Sequence, residues 1–272
     1  MSTFDSLLPH CTVFLNGLIE NRPVSSGTGF YYFFNDTFSD EDGNINELGT
    51  ARIGIVTNKH VVNGIEKIKY FFNSSVEGVP GYEAQEVSVS LNTNSVIFHP
   101  NPNIDLCVIL ADSLMESIHS TGRKLHLYPV RKNNRRTDEQ LKEMETIQNL
   151  IMIGYPRGIW DSVNNLPIIR SGINATPIYA NYQGEPNFAV DIALYPGSSG
   201  SPVFIYDKGF YLEGNNFTLG NRLSFVGVIS SGHTTNHRLE SGSIQEMLHI
   251  GIAIKASELD VFEELIRRHY EG

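Results

Sequence analysis

The chain has 272 residues, 40% of them hydrophobic, enough for a large core built as one domain or as two closely packed units. Its formal charge of −10 argues against a general nucleic-acid binder, which needs a basic surface to meet phosphate. No run approaches the roughly 18 apolar residues of a membrane-spanning helix, and the 24 glycines, 15 Phe and 12 Tyr suit an all-β body of short aromatic strands.

Along the chain, residues 1–25 are weakly patterned. They lack the basic start and small-residue cleavage site of a secretory leader, so an intracellular, cytoplasmic protein is expected. Cys11 and Cys107 have no Cys-x-x-Cys partner and are expected as free thiols, with no metal or cofactor. Thr12–Leu15 is a candidate first strand, and Gly27–Phe34 a better one, with two glycines followed by aromatics. An acidic loop covers residues 39–47. The strand 51–57 then delivers Asn58-Lys-His60 at its end, and further strands are expected over 66–72 and 84–91, the latter alternating Val87 and Val89 with serines. Ser95–Pro100 leads to Asp105, which opens the apolar run Leu106–Leu110.

At Arg131 the character shifts. A basic run, 131–136, reads as solvated surface, and Thr137 with Gln140 forms a capping-box signature for a short helix to Glu145. Strands follow at 150–153, 167–172 and 188–194. Asp191 lies close before the next turn and is expected to support it by accepting backbone N–H groups. After that turn come strands at 203–206, 224–232 and 248–254. Ser257 is the expected cap of a terminal helix, 258–269, whose apolar face of Leu259, Phe262, Leu265 and Ile266 is expected to pack on the second half.

The candidate chemistry centres on Tyr195-Pro-Gly-Ser-Ser-Gly-Ser-Pro202. Its spacing Gly-x-Ser-Gly-x-Pro sets Ser199 between two glycines, and such a turn can aim the Gly197 and Ser199 amides into one small cavity, as a tetrahedral oxyanion requires. A serine hydroxyl needs a base, and the base needs an orienting group. His60 and Asp105 are the candidates, each beside an apolar strand. His99 is the rival histidine, read as flanking the cleft or packing near Asp105; Asp36, Asp40 and Asp42 are rival carboxylates, and Ser201 is the rival hydroxyl.

Thr57-Asn-Lys-His60, Asp105-Leu-Cys-Val-Ile109 and Pro196-Gly-Ser-Ser-Gly-Ser-Pro-Val203, in the order His, Asp, Ser, together resemble the trypsin-like serine peptidases. The likeness is to the bacterial HtrA-like and glutamyl-endopeptidase branches, over roughly residues 25–268. Asp191–Ser199, Gly154-Tyr-Pro-Arg-Gly158 and Gly251-Ile-Ala-Ile254 add to it. The resemblance implies a chymotrypsin-like double β-barrel with a C-terminal α-helix. Residues 1–130 form the first barrel in that scheme, 131–149 a charged, partly helical linker, 150–255 the second barrel and 256–272 the helix. It implies His60 as general base, Asp105 as its orienter, Ser199 as nucleophile, and the Gly197 and Ser199 N–H groups as oxyanion hole.

The sequence departs from the HtrA pattern at Ser198 and Ser201, which stand where asparagine and glycine are usual, and no PDZ-like stretch follows residue 270. Ser198 has no carboxylate with which to pair a freed amino terminus. Activity is then constitutive or gated by a regulatory protein partner. By the same resemblance the substrate is a protein or peptide, held by Ala193, Leu194, Ser230, Ser231, Gly232 and His249. None is a carboxylate, so a small or medium apolar side chain is favoured over an acidic one, for which His233 or His249 would be the partner. The rival readings are an inactive protease fold serving as a binding module, and an esterase using the same three residues.

Overall fold

The computed structural model describes residues 7–34, 52–76, 79–80, 85–92, 94–122, 124–213, 216–239 and 242–271. The acidic stretch 39–47, Asp36, Ala51 and Ala84 lie outside the described residues, and so do Asp40 and Asp42.

The first sheet contains β1 (Thr12–Ile19), β2 (Arg22–Phe34), β3 (Arg52–Thr57), β4 (Lys67–Phe72), β5 (Gln85–Ser90), β6 (Val96–Phe98) and β7 (Cys107–Leu110). Their order across the sheet is β5-β4-β1-β2-β3-β7-β6, every neighbour antiparallel, with Val130–Arg131 added parallel to β2. The aromatic run of β2 is explained by burial on both faces. Phe30, Tyr32 and Phe34 enter one core, and Tyr31 enters another. The same split divides Val56 from Ile55 in β3, and Val108 and Leu110 from Cys107 and Ile109 in β7. A strand buried on both faces is apolar throughout, whereas β5, with alternating exposure, shows period two.

The second sheet closes on itself. It comprises β8 (Asn149–Gly154), β9 (Ile168–Asn174), β10 (Asn187–Asp191), β11 (Pro202–Asp207), β12 (Arg222–Leu239) and β13 (Gly242–Lys255), in the closed order β8-β9-β10-β13-β12-β11. The expectation of two closed barrels is therefore met once. Among the described residues the first sheet remains an open path, because β5 and β6 stand at its ends unpaired to each other. The fold is a mixed α/β version of the chymotrypsin-like plan, not all-β. Beside the strands stand α1 (Lys59–Val62), α2 (Asp112–His119), α3 (Asp138–Lys142) and α4 (Asp260–Glu271). The sequence reading left α2 without an element. It buries Leu114 and Ile118 on a single stripe, a signal too short to stand out.

One core crosses both sheets: Phe30, Tyr32 and Phe34 meet Phe204, Phe225 and Val228, and Phe262 and Ile266 of α4 close it. The Phe30 and Phe225 rings lie 5.3 Å apart. Each such side chain contributes on the order of 2 kcal/mol by leaving water, so the two sheets are held as one body. Phe262 contacts Phe34 of the first sheet and His99 just after β6, so α4 seals the seam rather than packing on the barrel alone. The helix proper starts at Asp260, after a 3-10 turn over Ala256–Leu259, so Ser257 is not its cap.

The basic run is not simply solvated. Lys132 pairs with Asp260 and Glu263, and Arg135 donates to Ala256 O and reaches Asp260. Thr137 and Gln140 form the reciprocal capping box expected of them. Cys11 and Cys107 are free and fully buried, and burial pushes both thiols well above the usual range. No helix among the described residues is long and apolar enough to cross a membrane.

Candidate active site

β3 ends at Thr57, and the chain turns into α1, which carries His60. Asp105 arrives from the turn preceding β7, and Asn58 fixes that turn by donating from Nδ2 to Asp105 O at 2.7 Å. Asp105 then grips His60 twice. Its Oδ2 lies 2.6 Å from His60 Nδ1, and its Oδ1 accepts the His60 backbone N–H at 3.2 Å. A carboxylate on Nδ1 selects the tautomer that leaves Nε2 free to accept a proton. The Asp105 side chain is 29% exposed and that of His60 51%, so the imidazole faces open space while its partner is half-sheltered.

The turn between β10 and β11 carries Ser199. Gly197 has φ +92°, and a Cβ there would lie 2.5 Å from Tyr155 O. Gly200 has φ +85°, and a Cβ there would lie 2.0 Å from Thr28 O. Both positions demand glycine on conformation and on space. Arg157, itself at φ +52°, donates its N–H to Pro196 O at 2.5 Å. The amides of Ser198, Gly200 and Ser201 donate to Tyr195, Ile229 and Ser198 carbonyls. Those of Gly197 and Ser199 have no acceptor among the described residues. Two unpaired amides in one tight turn are what a developing oxyanion needs.

Ser199 Oγ donates to Ser230 O at 3.3 Å rather than to His60. The same Ser230 donates its own hydroxyl to Asp105 Oδ2 at 3.3 Å, so one residue bridges the serine turn and the His60–Asp105 pair. Ser230 was expected to line the substrate pocket. The structure instead sets its side chain against the carboxylate.

The rivals separate by burial. Ser201 is fully buried, and its hydroxyl finds no partner among the described residues. Ser198 is buried too, with its hydroxyl accepting from Tyr195 N–H at 3.3 Å. His99 packs near Asp105, the second of its two expected places, with its N–H donating to Leu106 O at 3.0 Å. It is buried against Phe262, its Nε2 is 3.4 Å from Glu258 Oε2, and burial pushes its pKa down. Asp191 ends β10 exposed, and among the described residues its carboxylate accepts no loop amide, contrary to expectation.

Beside Ser199 lies a cavity of about 220 Å³. Leu194, Ser231 and Gly232 are among its lining residues, and Ala193 and Ser230 are not. Exposed His249 stacks edge-on against Tyr195, and exposed His233 is likewise outside the lining. Ile229, Thr234 and Met247 line it as well, and Met247 carries no sequence signal because it reaches the site through its pairing with Thr234.

Thr28 was also missed. It is fully buried in β2, and its hydroxyl donates to Gly197 O. The one available signal was a hydroxyl residue between two glycines in an otherwise aromatic strand. No group of three or more metal-ligating side chains occurs among the described residues.

Comparison with known proteins places this geometry in context. The family model for the trypsin-like peptidase domain matches residues 27–210. No curated protein matches the chain. Among solved structures, a serine endoprotease from Yersinia pestis is similar at 16% identity and a TM-score of 0.49, covering 96% of this chain and 64% of its own. The HtrA-type protease AlgW, solved with a tripeptide, is 16% identical with a TM-score of 0.45, and 96% of this chain aligns with 61% of it. An inactive form of Rv3671c from M. tuberculosis H37Rv is 15% identical over 95% of this chain and 87% of its own, with a TM-score of 0.41. The chain thus spans less than two thirds of the Yersinia and AlgW chains.

Proposed function

The chain belongs to the trypsin-like peptidase family, and from that premise we propose that it is a serine endopeptidase using His60, Asp105 and Ser199. The observation that carries the reading is the 2.6 Å His60–Asp105 pair, drawn from segments 45 residues apart, beside a turn whose Gly197 and Ser199 amides are unpaired. In this reading the open first sheet is the counterpart of the closed barrel, the stretch 131–149 links the two, and the substrate lies across the cleft between them.

Ser199 Oγ turns from Ser230 O to His60 Nε2, a rotation between staggered wells of one side-chain torsion. It attacks the scissile carbonyl as its proton passes to Nε2, and the Gly197 and Ser199 amides receive the oxyanion. The C–N bond breaks, the proton on Nε2 goes to the leaving amine, and an acyl ester remains on Ser199. Water then repeats the sequence, giving a carboxylic acid and the free hydroxyl. Asp105 holds the imidazole and offsets its charge while it is protonated. The uncharged cavity beside Ser199 suits a small or medium apolar side chain before the scissile bond.

A second reading, a binding module on an inactive protease fold, draws on the bond from Ser199 Oγ to Ser230 O, which turns the serine hydroxyl away from His60. A fluorophosphonate probe separates the two. Covalent phosphonylation is expected on Ser199, absent in Ser199→Ala and strongly slowed in His60→Ala. An unlabelled wild-type protein would sink the peptidase reading, and labelled protein that cleaves matched esters but no peptide would favour an esterase.

A further inference from the structure

Asp105 is carried by the loop that joins β6 to β7, and His99 closes that loop at its neck. Phe98 pairs with Cys107, and His99 N–H donates to Leu106 O at 3.0 Å. Inside the loop the hydrogen bonds gather on Asn101. Its carbonyl accepts Ile104 N–H at 3.2 Å and Lys59 Nζ at 2.9 Å, and its side-chain oxygen accepts Asn103 N–H at 3.0 Å. Pro100 and Pro102, on either side, have no N–H to give. The N–H of Asn101 itself goes to a side chain, His99 Nδ1, at 3.1 Å.

That bond decides where the His99 proton sits. A ring nitrogen that accepts a backbone N–H must carry a lone pair, so the neutral ring bears its proton on Nε2. Nε2 lies 3.4 Å from Glu258 Oε2, on the 3-10 turn that precedes α4. His99 is 7% exposed, and Phe262 of α4 covers it edge-on. The charged groups around the ring are Glu258, which favours a second proton, and Lys59 of α1, which opposes one. Lys255 and Asp260 act on Glu258 in turn. Burial is the largest influence, and it holds the pKa below the ordinary 6.5. Uptake of a proton would set an Nδ1–H against the Asn101 N–H. The hydrogen bond is then lost, two donors face each other, and the loop has to move.

We propose that His99 is a positioning residue that keeps Asp105 aimed at His60 while its own ring is neutral, and that protonation of this second, buried imidazole turns the site off in acid, in addition to protonation of His60. The claim rests on the peptidase reading above. The path is short. Asn58 and Lys59, the two residues before His60, hold the loop at Asp105 O and at Asn101 O. A shift of Asn101 therefore bears directly on the 2.6 Å contact between Asp105 Oδ2 and His60 Nδ1. A misplacement of about 1 Å at a reacting centre can cost on the order of a hundredfold in rate. His99 touches no reacting atom and acts through Asn101.

The test uses the full chain and two variants. His99→Leu removes the acceptor at similar volume, and His99→Asn offers Oδ1 in place of Nδ1 but takes up no proton. At about pH 8, where unperturbed histidines are neutral, His99→Leu is expected to lower kcat by roughly tenfold to a hundredfold with KM little changed, as a misaimed orienting carboxylate would. His99→Asn should recover most of that loss. Towards acid, log kcat/KM of the wild type should fall with a slope approaching two, one proton for His60 and one for His99. In His99→Asn the slope should be one. Circular dichroism confines each profile to the range in which the protein is folded. By NMR, the deshielded Nδ1 proton that His60 donates to Asp105 should be sharp in the wild type and in His99→Asn, and broadened by exchange in His99→Leu. A wild-type kcat in His99→Leu, or an acid limb of unchanged slope in His99→Asn, would overturn the proposal while leaving the peptidase reading intact. If His99→Leu fails to fold, the slope in His99→Asn decides alone. No cleavage of any peptide by the wild type, with no fluorophosphonate labelling, would instead remove the reading on which it rests.

Discussion

Thr28 of the first sheet holds Ser199 of the barrel turn: its N–H donates to Ser199 O at 2.9 Å, and its hydroxyl donates to Gly197 O at 2.9 Å. The Thr28 carbonyl accepts from Thr57 Oγ1 at 2.8 Å, three residues before His60, and its hydroxyl accepts from Tyr155 N–H at 3.1 Å. One buried residue therefore ties the end of β3, the start of the Tyr155 turn and the glycine turn together. Thr28→Val keeps the shape and removes the hydroxyl, leaving Gly197 O and Tyr155 N–H unpaired. The expected result is a loss of about 2 kcal/mol in denaturant unfolding and a fall of roughly tenfold or more in kcat, with KM little changed, because a shifted turn misaims the oxyanion amides. Thr28→Ser should restore both. A valine variant with full kcat would show that the turn is held by other contacts.

Ser199 and Ser201 are neighbours in sequence with opposite expected outcomes. Ser201 Oγ is buried without a partner, so Ser201→Ala removes an unsatisfied polar atom. It is expected to leave peptide cleavage unchanged and to raise the unfolding free energy by about 1 kcal/mol. Ser199→Ala is expected to abolish cleavage at unchanged melting temperature. Inactive Ser201→Ala beside active Ser199→Ala would reassign the nucleophile.

Among the described residues no charged side chain lines the cavity beside Ser199. A carboxylate or ammonium entering it would lose hydration without a counter-charge. Peptides differing only in the residue before the cleaved bond should rank valine, leucine and methionine above glutamate and lysine by roughly tenfold or more in kcat/KM, since pairing of even one hydrogen-bonded charge is worth that much. A glutamate preference would mean that His233 or His249 swings in from its exposed position.

His10 gives the chain a predictable acid sensitivity. Burial, and then the nearby His126 ring 4.6 Å away, hold its pKa below the ordinary 6.5. Above that ordinary value both folded and unfolded chains carry it neutral, so stability is full. As pH falls through it, the unfolded chain takes up a proton that the folded chain refuses, and stability drops until the lower folded value is reached. His10→Gln, which keeps an acceptor for Asn73 Nδ2, should flatten the fall in melting temperature between about pH 7 and pH 5.5. An unchanged slope would shift the cause elsewhere.

The strands read at 27–34 and 51–57 and the apolar run 106–110 are legible because most of their described residues are buried on both faces, so apolar character runs nearly unbroken. The capping box at Thr137 and Gln140 was readable because its partners lie three residues apart. His60 and Asp105 stood out because each adjoins such a strand. What escaped notice was set by contacts over long separations. Thr28 and Gly197 are 169 residues apart, Arg135 and Asp260 are 125 apart, and Ser230 and Asp105 likewise 125. Sequence left His99 between flanking the cleft and packing near Asp105, because the docking of α4 against it is a long-range contact.

Residue order alone determined where the backbone must bend and which segments must be dry, since glycine at positive φ and unbroken apolar runs leave few local alternatives. The tertiary structure decided which hydroxyl faces solvent and which histidine Asp105 holds. Those outcomes follow from how the two sheets meet along the seam of Phe30, Phe225 and Phe262. Packing there sets relative positions to a fraction of an ångström, a scale on which hydrogen bonds form or fail and about which local sequence preference carries no information.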